Sequence, residues 1–150
     1  MKLKALLLTS LLLAAGYANA ETDLKPAVFK SKFSFQQTVD TLETTFKDKG
    51  MMVFAKIDHQ AAAKAAGLEM QPATVIIYGT PKAGTPLMVK DPSLALQLPL
   101  KVLVTEPKTG EVEVMLNRAE QVVAHSNTPY QAVENSLAKA EKLIEATVTK

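Results

Sequence analysis

The 150-residue chain contains no cysteine and no tryptophan, and its one arginine is Arg118. Disulfide scaffolds, cysteine-ligated metals and thiol nucleophiles are therefore excluded together. A lone guanidinium gives no surface for reading phosphates in pairs of hydrogen bonds, which argues against a nucleic-acid partner. Histidine is nearly as scarce, with only His59 and His125, and neither has a carboxylate at ligand spacing. No metal site and no cofactor is expected on that basis. Past residue 20, no apolar run approaches the roughly 18 residues of a membrane span.

What is present first is a leader. Lys2 and Lys4 precede an apolar stretch from Ala5 to Ala15, and Ala18-Asn19-Ala20 is an A-x-A cleavage site. Cleavage after Ala20 is expected to leave a periplasmic or secreted chain without stable membrane insertion. The two leader lysines account for the whole formal charge of +2, because all fifteen acidic residues lie beyond the cut. A mature chain near neutrality has no electrostatic case for nucleic acid or an anionic membrane. Residues 21–150 are long enough to bury one ordinary core, so a single domain is expected.

Along the chain, Ala27 to Ser34 alternates as a first strand. Ser34 and Gln37 then have the spacing of a capping box, and Phe35, Val39, Leu42 and Phe46 share one helical face up to Gly50. Met51 to Ile57 reads as a strand with Val53, Ala55 and Ile57 on one side and Met52, Phe54 and Lys56 on the other. Asp58 caps a short helix from His59 to Ala66, closed by Gly67. Thr74 to Tyr78, with a run of apolar residues and no alternation, suggests a central strand buried on both faces. Ser93 to Leu98 fits a helical turn, and Leu100 to Thr105 with Glu111 to Leu116 fits a hairpin around Gly110. Ala119 to Ala124 fits a helical turn. Thr128 with Pro129 signals a last helix whose stripe is Val133, Leu137, Ala140 and Ile144, with Leu143 beside them.

That order predicts an α+β fold: a two-layer sandwich whose helices cover one face of a largely antiparallel five-strand sheet. The other face is left for solvent, for connectors, or for a second copy in a homodimer.

The stretch from Val75 to Met88 organises the rest, since four apolar residues run into Gly79-Thr80-Pro81-Lys82-Ala83-Gly84-Thr85-Pro86 and return to Leu87-Met88. It reads as a buried strand delivering a stiff polar loop. Together with Ile57-Asp58-His59, Ala66-Gly67-Leu68 and Leu98-Pro99-Leu100-Lys101-Val102, this stretch resembles the bacterial family catalogued as domain of unknown function 302, over about residues 40–117. The resemblance implies a β-α-β(4)-α arrangement related to TATA-binding-protein-like folds, and no agreed activity. Arg118-Ala119-Glu120 departs from the acidic residue, proline and aromatic that the family pattern has there.

The loop is not a nucleotide-binding P-loop, because Lys82 sits in its middle and its two prolines remove amide donors. No G-x-S-x-G nucleophile motif occurs anywhere. The plain reading is a turn braced over the core. The sharper one is that Gly79, Thr80, Lys82, Gly84 and Thr85 receive a small polar or anionic ligand, with His59 and Lys101 contributing. His59 and Lys101 each have a solvent-facing alternative, and the scattered methionines Met51, Met52, Met70, Met88 and Met115 read as core filler. The expected function is thus a non-enzymatic ligand-binding or accessory domain of the cell envelope. The alternatives are a protein-interaction module that pairs with itself, and a weak enzyme working through His59 with Lys82 and Glu43.

Overall fold

The computed structural model describes residues 25–150, so the leader lies outside the described residues. Five strands, β1 (Ala27–Lys30), β2 (Met52–Asp58), β3 (Ala73–Gly79), β4 (Leu100–Lys108) and β5 (Glu111–Leu116), form one antiparallel sheet in the order β1-β5-β4-β3-β2. Helices α1 (Phe35–Asp48) and α5 (Leu137–Thr149) lie together on one face of it. Three shorter helices, α2 (His59–Ala65), α3 (Pro81–Lys90) and α4 (Ala119–Val123), fill the connections. The predicted two-layer α+β class is the observed one.

The best-marked element forms for the reason its residues suggest. Ser34 Oγ accepts from the Gln37 amide while Gln37 Oε1 accepts from the Ser34 amide, which satisfies amides that a helix start leaves open. Val39, Leu42 and Phe46 are buried on one stripe. They pack with Ile76, Tyr78, Val102, Val104 and Val114 of the sheet and Ile144 and Val148 of α5 in the main core. A second, smaller core gathers Leu94, Leu98, Val122, Val123, Val133 and Leu137 at one end of the molecule.

Several expectations are corrected. The stretch after Gly79 is not a loop but helix α3. Pro81 at its first position loses no bond, because the first amides of a helix have no partner and its fixed φ is already helical. Pro86 lies inside the helix and withholds one amide from Lys82, a residue at the surface. Strand β3 is interior, paired with β2 and β4, but β4 holds the middle, and burial on both faces is incomplete, with Val75 and Ile77 only half-buried. The alternation expected in β2 breaks at Phe54, where the register with β3 shifts between Val53 and Ala55. β4 continues to Lys108, so the hairpin closes on Thr109 and Gly110, the latter at φ +82°.

The last helix starts at Leu137, with a 3-10 turn at Tyr130–Ala132 before it. Thr128 caps no α-helix, since none begins until Leu137, and its hydroxyl instead donates to Asp91 at 3.2 Å. Val133 consequently turns into the second core rather than heading the α5 stripe.

On the face turned away from α1 and α5, strand register lines up Val28, Met115, Leu103, Val75 and Ile57 in one row across all five strands. Its ends are well exposed, Val28 at 48% and Ile57 at 41%. Lys30 and Glu113 lie in the row to one side, and Lys101 in the row to the other.

Candidate functional site

Where β3 ends, the two cores separate and leave a cavity of about 400 Å³. That volume falls within the span of small-molecule sites. Gly79 faces Met52 across the β2 pairing, and Tyr78 faces Val53 on one side and Leu100 on the other. The chain then turns at Thr80, the residue that precedes the first turn of α3, and this helix forms one wall through Ala83, Gly84, Thr85 and Met88. Met51 and Phe54 close a second side, Leu98, Pro99 and Leu100 a third, and Ser136, Leu137 and Ala140 at the head of α5 a fourth. The register shift at Phe54 occurs at this end of β2, beside the cavity.

These walls are almost wholly apolar, so water inside gains few hydrogen bonds. Glycine contributes directly to the space. A β-carbon at Gly84 would meet the Leu98 and Met88 side chains at 3.8 and 3.9 Å, and one at Gly79 would lie 3.6 Å from Pro99.

Tyr78 is the one buried polar group in the walls. Its ring stacks on Phe46 with centroids 4.1 Å apart and planes 5° from parallel. The side chain is 1% exposed, and its hydroxyl is the sole buried side-chain N or O atom without a hydrogen-bond partner among the described residues. Burial, with Glu141 nearby adding to it, pushes the phenol well above its ordinary pKa, so it stays a protonated donor. Sequence reasoning took Tyr78 only as strand core. The available signal was that a tyrosine in a buried strand brings a hydroxyl that needs a partner.

Of the residues singled out from sequence, Gly79, Thr80, Gly84 and Thr85 come together in these walls. Lys82 sits on the same helix at the surface, outside the lining. Lys101 reaches back to the Pro99 carbonyl at 3.4 Å and lines a neighbouring space of about 30 Å³, with Gln97 and Asn117. Tyr78 and Leu100 belong to the walls of both spaces. His59 begins α2 at the far end of β2, next to the Asp58–Thr74 pair, roughly 20 Å along the strand from the Met52–Gly79 pair. Glu43 is held by Lys56 at 2.7 Å. His59, Lys82 and Glu43 do not share a cavity.

The connection after α3 is fastened by a residue that the sequence marks only as part of the turn Lys90-Asp91-Pro92. Buried Asp91 ends α3, and its carboxylate accepts from the Ser93 hydroxyl at 2.5 Å and amide at 3.2 Å, the Asn127 amide at 2.7 Å and the Thr128 hydroxyl. The Ser93 hydroxyl, followed by the Asn127 and Thr128 donors, holds its pKa below the usual carboxylate value against an opposing effect of burial. A depressed folded pKa means that this knot stabilises the fold in full above the ordinary carboxylate range. The contribution is lost as pH falls through the lowered value.

Residues 27–149 match the family described as "Domain of unknown function DUF302". The chain belongs to this family. A crystal structure of an uncharacterized conserved DUF302 protein from Bacillus stearothermophilus superposes with a TM-score of 0.71 at 17% identity, covering 83% of this chain and 96% of that one. At that identity the DUF302 likeness establishes the shared fold. Among curated relatives, "Fluoride-specific ion channel FluC 1" of Brucella suis biovar 1 (strain 1330) is 38% identical over 88 residues, 59% of this chain and 35% of that protein. "Fluoride-specific ion channel FluC 1" of Brucella abortus biovar 1 (strain 9-941) is likewise 38% identical over 88 residues, 33% of its length. The chain thus spans about a third of the curated relatives it matches.

Proposed function

We propose that this DUF302 chain is an exported, non-enzymatic domain that binds an apolar small molecule in the cavity between α3, the end of β3 and the head of α5. The observation that carries the reading is that cavity: about 400 Å³, walled by Met51, Phe54, Met88, Leu98 and Leu137, with glycine where side chains would fill it. Its walls hold no charged residue, which moves the ligand class from the anion suggested by Lys82 to a hydrocarbon-rich molecule. Export is supported by the leader and its A-x-A site. Channel activity is not carried over from the Brucella relatives, because their match covers only about a third of each. No helix of the described residues is long and apolar enough to cross a membrane.

The test is titration of the purified protein with a neutral, environment-sensitive dye such as N-phenyl-1-naphthylamine. Saturable fluorescence enhancement at one site per chain is expected, unchanged in Lys82→Ala because Lys82 lies outside the walls. Absence of saturable binding, or its loss with Lys82→Ala, overturns the reading.

The aligned row on the open face supports a second reading, a homodimer closed sheet to sheet. A twofold axis along the row would superpose like on like from Val28 to Ile57. It would also lay the Glu113 side of one sheet over the Lys101 side of the other. Light scattering should then report twice the chain mass, and Leu103→Glu should halve it; a strict monomer at high concentration removes the dimer.

A further inference from the structure

The outer side of α3 carries a chemistry that the cavity does not use. We propose that this side, with the 3-10 turn Pro92–Leu96 that follows it, docks reversibly on an anionic lipid membrane, its lysines against the headgroups and Val89 and Leu96 at the acyl boundary.

Three observations lead there. Among the large hydrophobic side chains described, the most exposed are Leu96 at 83% and Val89 at 76%, and they lie on this turn and on α3, which pack together. Lys82, Pro86, Val89 and Lys90 stand at i, i+4, i+7 and i+8, so they share the face of α3 turned away from Gly84 and Met88 in the cavity wall. Both lysines are exposed, and neither has an ion-pair partner among the described residues. From Thr80 to Gln97 the sole acid is Asp91, which is buried in its knot of donors. Cations flanking apolar side chains with no exposed anion between them are what an interfacial helix presents to lipid. The total charge past the leader, near zero, conceals this segregation because the balancing acids lie elsewhere in the chain.

The same surface fits a protein partner poorly. The centre of a stable protein interface is depleted of charge and rich in aromatics, whereas here lysines bracket a lone valine on a short convex helix. A headgroup layer needs no matching shape. The cavity also opens on this side, since Pro81, Ala83, Thr85 and Ala95 line it and are exposed. A hydrocarbon-rich ligand resides in membranes, so its mouth belongs near one. This last point rests on the reading of the cavity; the other three do not.

The test is co-sedimentation of residues 21–150 with vesicles, the leader being left off because its own apolar run would bind lipid. Binding is expected to equimolar phosphatidylglycerol and phosphatidylcholine, to weaken with added salt, and to be slight on phosphatidylcholine alone. Lys82→Ala and Lys90→Ala should each lower it about fivefold, the worth of one cation near an anionic surface. Val89→Asp should lower it tenfold or more. Lys64→Ala, on α2 at the far end of β2, should leave it unchanged. No binding by wild type, or equal losses at Lys64 and Lys82, overturns the proposal. All these side chains lie outside the cavity lining, so dye titration without lipid reads the cavity separately.

A second measurement needs no loss of binding. The chain has no tryptophan, so Val89→Trp supplies a single indole. Its emission should shift to the blue on phosphatidylglycerol vesicles and be quenched by brominated acyl chains, while that of Leu68→Trp, exposed just past α2, should not. An unshifted, unquenched indole at position 89 overturns the proposal even if Val89→Asp fails to fold.

Discussion

Replacing Phe46 with alanine is expected to lower the unfolding free energy by about 3–5 kcal/mol, with unfolding by urea moved to lower concentration and its slope unchanged. Phe46 is fully buried where α1 meets β3, among Leu42, Ile76 and Ile144. Truncation removes apolar area and leaves a hole that the surrounding strands, locked in a five-strand register, cannot close. It also removes the stack on Tyr78, worth about 0.5–1.5 kcal/mol beyond burial. A domain of this size commonly has only about 5–15 kcal/mol in total. Phe35→Ala, on the same helix face but half-buried, is expected to cost distinctly less. Equal losses at the two positions would mean that the main core is not centred on the Phe46–Tyr78 contact.

The same substitution reaches the cavity. Without the Phe46 ring, Tyr78 gains room to turn, so the wall it forms loses the shape that the stack gives it. Dye affinity should therefore fall along with stability. A folded Phe46→Ala protein with unaltered binding would show that the dye does not rest against Tyr78.

Much of this architecture is written locally. The capping box at Ser34 and the stripe ending at Phe46 announce α1 because each signal spans only a few residues, and the Gly110 hairpin is similarly local. The errors occur where local chemistry has two outcomes. Proline is compatible with both a braced loop and the first turn of a helix, and the choice at Pro81 depends on where α3 can pack, against the second core through Leu87 and Met88. Thr128 has the right neighbour to cap a helix, yet it is tied to Asp91, thirty-seven residues earlier, and the α-helix begins only at Leu137. Strand order is likewise non-local: an unbroken apolar run does not distinguish the middle of a sheet from the place beside an edge, where β3 lies.

The site was half legible for the same reason. Gly79, Thr80, Gly84 and Thr85 could be singled out because they are neighbours in the chain. Tyr78 offered only the general signal of a hydroxyl in a buried strand, because the missing partner shows only once α1, α5 and β4 are packed around it. Lys82 drew attention by charge, whereas the helix that replaces the loop turns it toward solvent.

Gly84 provides the sharpest separation of folding from binding. Glycine inside a helix costs about 1 kcal/mol relative to alanine, and Gly84 lies within α3 at an ordinary helical φ. Gly110, by contrast, needs glycine for its positive φ. A β-carbon at Gly84 would find only normal van der Waals distances to Leu98 and Met88. Gly84→Ala is therefore expected to raise the unfolding free energy by about 0.5–1 kcal/mol. The absent side chain makes sense as room for a ligand, and restoring it should cost binding. Gly84→Leu places a branched chain in the cavity, and apolar dye affinity is expected to fall about a hundredfold, the scale of overpacking a filled site by 1–3 kcal/mol. Because that chain enters space the protein leaves open, stability should hold or rise, as read by denaturation on the same sample. A well-folded Gly84→Leu protein that binds the dye as wild type does would place the ligand elsewhere, and a Gly84→Ala protein less stable than wild type would mean that α3 needs glycine for its own backbone.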